Sequence, residues 1–148
     1  MRTPPTATRD LVAASMLAAL VVTGCGRQVA VPAPDTPAQA CASVLLPSVV
    51  AGAGMRPTTE SGTAAWGEPP ITYRCGVQRP PALNSSSKLL DVSGVAWLPL
   101  EASGGTAFIA VTWPTPDNPV FVEVLVPEDY SAPADVLADL SPALAAAG

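Results

Sequence analysis

Val120, Val122, Val124 and Val126 occupy every second position of one stretch and alternate with Phe121, Glu123 and Leu125. A period of two belongs to a β-strand, and it commits this part of the chain to a sheet buried on its valine face. Ile71, Tyr73, Cys75 and Val77 repeat the pattern against Thr72, Arg74 and Gly76, with Cys75 on the apolar side. Ala107, Ile109, Val111 and Trp113 form one face of another strand, entered through a turn at Gly104-Gly105. Asp91 to Leu98 reads as a further strand whose apolar register changes at Ser93-Gly94, as a β-bulge would make it. Ala64 to Trp66 is a short candidate. Pro114, Pro116 and Pro119 confine the connection before Val120 to a loop.

Helix signals flank these strands. Thr36 can cap, Pro37 suits the first helical position and Gln39 completes a Thr-x-x-Gln capping box. Cys41 and Leu45 then share a face. Pro47 ends or kinks the segment, unless Ser48 to Val50 continue it, and Gly52 and Gly54 close it. At the other end Ser131 is a candidate cap, Asp135 lies in the first turn, and Val136, Leu137, Leu140 and Leu144 keep helical spacing. Pro142 should kink or restart that helix at Ser141. The expectation is a two-layer α+β domain over residues 37–148. Its sheet has four or five mostly antiparallel strands, with an N-terminal and a C-terminal helix.

Residues 1–24 read as a leader. Arg2 and Arg9 precede twelve largely apolar residues, Leu11 to Val22. As a helix these span about 18 Å, short of a hydrocarbon core of about 30 Å. Val22-Thr23-Gly24-Cys25 resembles the bacterial lipobox, in which the Cys sulfur receives a diacylglycerol before cleavage and becomes the new N-terminus. Cys25 is the expected lipid-attachment residue. The expected location is the outer face of the cytoplasmic membrane, with the membrane as a partner through two acyl chains. Residues 25–36, with Pro32 and Pro34, read as the lipidated N-terminus and an extended tether.

Beyond the leader 5 basic and 11 acidic side chains remain, the wrong sign for a nucleic-acid partner. The chain has no histidine, which removes Ser-His-Asp and Cys-His catalysis and all His-ligated metal sites. With Cys25 lipidated, Cys41 and Cys75 remain, both on inward faces, and outside the membrane such a pair should oxidise to a disulfide.

Leu46-Pro47 with Cys41, Trp66-Gly67-Glu68-Pro69-Pro70 and Arg74-Cys75-Gly76-Val77 come in a familiar order. Val92-Ser93-Gly94-Val95-Ala96-Trp97 and Val122-Glu123-Val124-Leu125-Val126-Pro127 follow. Over residues 38–145 the chain resembles the actinobacterial membrane lipoprotein family known as domain of unknown function 3515. The resemblance implies an exported, membrane-anchored protein and no assigned activity.

Chemistry-bearing residues are sparse. Ser85-Ser86-Ser87-Lys88 contains Ser-x-x-Lys, but its surroundings are those of a loop and no Lys-Thr-Gly partner exists. Glu60, Glu68, Glu101, Glu123 and the Glu128-Asp129 doublet could supply paired carboxylates, with no spacing that selects a pair. Strand alternation should turn Glu123 off the valine face and leave it partly exposed. Trp97 and Trp113 fall in register with apolar neighbours and should be core, whereas Trp66 beside Gly67 should be the exposed aromatic. No catalytic residue, metal site or cofactor is expected. The expected function is a non-enzymatic envelope interaction or binding module, with a protein or glycan partner. The alternatives are a small-ligand or glycan carrier with an apolar groove and a His-independent carboxylate hydrolase.

Overall fold

A computed structural model describes Met1 and residues 26–148, so the leader and Cys25 lie outside the described residues. The described residues form eight strands: β1 Val49–Val50, β2 Ala53–Arg56, β3 Thr63–Trp66, β4 Ile71–Val77, β5 Leu90–Val92, β6 Val95–Ala102, β7 Gly105–Ala110 and β8 Phe121–Pro127. One α-helix, α1 Pro133–Ala147, follows them. All strands join one sheet in the order β1-β2-β3-β4-β8-β7-β6-β5, and every neighbouring pair is antiparallel. The last strand in sequence thus closes the gap between two hairpin-connected groups.

This corrects the expected four- or five-stranded sheet with a helix at each end. Turn chemistry accounts for two of the extra strands. Ser93 and Gly94 both have positive φ, 51° and 80°, so they are the two central residues of a hairpin turn joining β5 to β6 rather than a bulge. Ala51 and Gly52, at φ 47° and 77°, do the same between β1 and β2. Alanine carries no such turn signal, which is why Val49 to Arg56 did not read as a hairpin.

The N-terminal helix is absent because the chain there is held by other elements. Gln39–Ser43 makes a single 3-10 turn with Ala38 at its cap and no side-chain capping bond. Thr36 instead donates its backbone N–H to Gly76 O at 2.8 Å, and Ser48 to Val50 enter the sheet edge. A helix of this length is marginal without packing, and Leu45, on its expected inward face, is 86 % exposed. At the other end α1 starts with Pro133 at its first turn and makes no use of Ser131 as a cap. It runs through Pro142 without restarting, because its buried face, Val136, Leu137, Leu140, Ser141 and Leu144, is continuous across that point.

The main core lies between α1 and one face of the sheet. Tyr73 and Cys75 of β4, Val122 and Val124 of β8, and Phe108 and Ala110 of β7 share it with the helix. The opposite face is covered as well. Val29 and Val31 pack on Ala65, and Leu83 packs on Leu98, Ile109 and Val111. β7 is therefore buried on both faces along Ala107 to Ala110. The stretch read as a tether is docked from Val29 onward: Val29 N–H donates to Pro57 O at 2.8 Å, and Val29 bridges Thr58.

Candidate functional site

The face of the sheet turned away from α1 carries charge where β4 and β8 meet. Register places Arg74 opposite Glu123, and Arg74 Nε donates to Glu123 Oε1 at 2.9 Å. The side chains are 19 % and 25 % exposed, so the pair is only partly open to water. Beside it, Gly76 lets residues 33–38 cross the end of β4. Its φ is +94°, and a Cβ there would overlap the Thr36 carbonyl oxygen. Asp35, on that crossing strap, accepts from Gln78 N–H at 3.3 Å. Arg79 Nη1 donates to Leu83 O at 2.9 Å and so ties down the loop after β4.

Together these elements line an open groove of about 340 Å³. Leu100 and Ile109 are apolar members of its lining, and Asp35, Arg74, Arg79 and Glu123 are its charged members. The terminal nitrogens of Arg74 have no hydrogen-bond partner among the described residues, so they remain available as donors. Glu123 is already engaged by Arg74, and Asp35 is exposed. A second open hollow, of about 330 Å³, lies on the other side of the strap against the disulfide, with Pro34, Pro37, Cys41 and Cys75 among its lining.

Cys41 and Cys75 are joined, with Cα atoms 5.8 Å apart. Cys25 lies outside the described residues. Glu123 lies off the valine face and is partly exposed, as alternation requires. The other carboxylates do not converge with it. Glu68 pairs with Arg56, Glu60 and Glu101 are exposed on a turn and a strand of their own, and Glu128 and Asp129 share the exposed turn after β8. No group of three or more metal-ligating side chains occurs among the described residues. Ser85 to Lys88 form an exposed turn in which Asn84 Oδ1 accepts from Ser86 N–H at 2.9 Å, with no helix to align Ser and Lys.

The tryptophans are structural. Trp97 and Trp113 are buried as expected, although Trp113 packs in the main core and not with Ile109 and Val111, while Trp66, expected outside, has no exposed surface at all. Each indole N–H has an acceptor: Pro47 O at 2.9 Å for Trp66, Ser141 Oγ at 3.0 Å for Trp97, and Leu144 O at 2.6 Å for Trp113. None is free to stack on a ligand.

Arg74, Arg79 and Asp35 were not singled out by the sequence. The available signal was unlike charges at polar phase on two strands, Arg74 and Glu123, but it has meaning only once β4 is known to neighbour β8.

A family model described as "Protein of unknown function (DUF3515)" matches residues 8–147. The chain belongs to that family. Neither a curated protein nor a solved structure gives a significant match.

Proposed function

We propose that this DUF3515 protein is a lipid-anchored, extracytoplasmic binding module. It sits on the outer face of the cytoplasmic membrane through Cys25 and holds an envelope partner in the groove of its sheet, without turnover. The carrying observation is the partly buried Arg74–Glu123 pair on the sheet face turned away from α1. Such a pair contributes little net stability, because desolvation offsets its Coulomb attraction. Its use lies in the pre-oriented guanidinium, whose terminal donors fit the carboxylate or carbonyl oxygens of an extended peptide segment. The partly exposed Leu100 supplies apolar contact beside it.

Anchoring is supported by the Val22-Thr23-Gly24-Cys25 motif and by a disulfide suited to an oxidising compartment. A carrier would need an apolar groove, and this one is lined by four charged side chains, Asp35, Arg74, Arg79 and Glu123. A hydrolase has one specific point in its favour, since Asp35 and Glu123 line the same groove. One is exposed and the other is ion-paired, however, whereas a general acid works best in a dry, unpaired setting.

A photo-crosslinking residue in place of the exposed Gln78 tests the reading in intact cells. A discrete protein adduct that disappears with Arg74→Ala supports it. Adducts with glycan alone favour the carrier, and turnover of envelope polymers lost in Glu123→Gln favours the hydrolase. Intact mass tests the anchor separately: a mature N-terminus at Cys25 bearing diacylglyceryl is expected, and an unmodified N-terminus elsewhere refutes it.

A further inference from the structure

We infer that the β1–β2 edge of the sheet is pressed against the lipid surface and inserts apolar side chains into it. This rests on the proposal that Cys25 is acylated. Four residue steps separate Cys25 from Val29, and Val29 is fastened to the domain by its N–H bond to Pro57 O and its bridge to Thr58. Four extended steps reach at most about 14 Å. The point where the chain meets the domain is thus held within that distance of the acyl glycerol. A long, loose tether would leave the domain free to tumble, and this one is too short for that.

The surface at that point carries exposed apolar side chains beside the Arg56–Glu68 ion pair. Met55 N–H donates to Ser48 O at 2.8 Å, so the start of β1 and the end of β2 lie side by side, next to Arg56, Pro57 and Thr58. Val49 and Met55 on these strands are 52 % and 45 % exposed, and Leu45 in the loop leading to β1 is 86 % exposed. Of the five large hydrophobics exposed within residues 26–148, Val49 and Met55 therefore lie on the hairpin beside the point where the anchor enters, and Leu45 precedes that hairpin by four residues. The other two, Leu89 and Leu90, lie at the opposite edge of the sheet. Arg27, exposed beside the same hairpin, adds a positive charge suited to lipid phosphate, and its carbonyl accepts from Arg56 Nη2 at 3.3 Å. Each apolar contact is weak alone. The anchor raises its effective concentration at the bilayer and makes it count.

The mature lipidated protein in vesicles of phosphatidylglycerol and phosphatidylethanolamine tests this. With Cys25 acylated and Cys41 bonded to Cys75, a single introduced cysteine is the only free thiol for an environment-sensitive fluorophore. Labels at Leu45→Cys and Met55→Cys should blue-shift and lose about twofold in emission to lipids brominated near the glycerol, at the depth of about 5–10 Å reached by interfacial side chains. A label at Leu90→Cys should be unaffected. A ten-residue Gly-Ser insertion after Gly26 should weaken the quenching at position 55. Equal quenching at positions 55 and 90, or none at either, overturns the inference while leaving the anchor intact. A mass spectrum without diacylglyceryl on Cys25 instead removes the anchor on which the inference rests.

Discussion

Replacing Cys41 and Cys75 together by alanine should destabilise the domain by about 4–5 kcal/mol. The bridge joins positions 34 residues apart and encloses β1, β2, β3 and part of β4. For a loop of this length the chain-entropy relation gives about 4 kcal/mol at 25 °C. Cys75 is 1 % exposed, so loss of its sulfur from the core adds about 1 kcal/mol. Unfolding entropy near 2.1 cal/mol/K per residue, over about 120 residues, converts this to a fall in Tm of about 15–20 °C. Urea titration followed by fluorescence of the three buried tryptophans, with calorimetry beside it, measures both quantities. The slope per molar urea should rise, because the unbridged denatured chain exposes more surface. A loss below about 1 kcal/mol would refute the reasoning. It would mean that the Thr36–Gly76 and Asp35–Gln78 bonds hold the strap without a covalent link.

Three further substitutions probe particular contacts. Gly76→Ala should cost about 2–4 kcal/mol, through its positive φ and the collision with the Thr36 carbonyl; a urea midpoint close to wild type would contradict the path of the strap. Ser141→Ala leaves the Trp97 indole N–H buried without an acceptor and should cost about 1–3 kcal/mol, an effect that should vanish in a Trp97→Phe background. Tyr73→Phe should be neutral or stabilising by up to about 1 kcal/mol, because the buried hydroxyl finds no partner among the described residues. Burial raises the Tyr73 pKa, so the folded chain keeps a proton that the unfolded chain releases above about pH 10, and wild-type stability should fall there. The Phe variant should lose stability less steeply, retaining the smaller contribution of Tyr130, whose hydroxyl is also raised, by burial and then by Asp129 and Glu68.

Local pattern explains where the reading of the sequence succeeded and where it stopped. Side-chain phase was legible in Ile71–Cys75 and Val120–Val126, but not in Ala107–Trp113, where Ile109 and Val111 pack on the face away from α1 and Trp113 joins the main core. It also failed where a strand was two to four residues long or where two strands met at a tight turn. Ser93-Gly94 shows the ambiguity: a change of apolar register fits a bulge and a hairpin equally well, and positive φ at both residues decides between them. The capping box at Thr36 was a sound local signal defeated by a distant partner, since the Thr36 N–H is taken by Gly76 O.

The sequence by itself determined that β4 and β8 bury one face, that Cys75 points inward and has Cys41 as its partner, and that Glu123 stands off the valine face. These follow from period two and from cysteine arithmetic, which need no knowledge of neighbours. Tertiary structure alone decided that Glu123 meets Arg74, because strand order brings together residues 49 apart in the chain. It also decided that Trp66 is core, because the Pro47 carbonyl satisfies its indole and allows full burial. The docking of Val29 and Val31 on Ala65, which turns an expected spacer into part of the domain, has the same origin. Two valines among prolines carry no period, and only the apolar surface offered by β3 gives them somewhere to go.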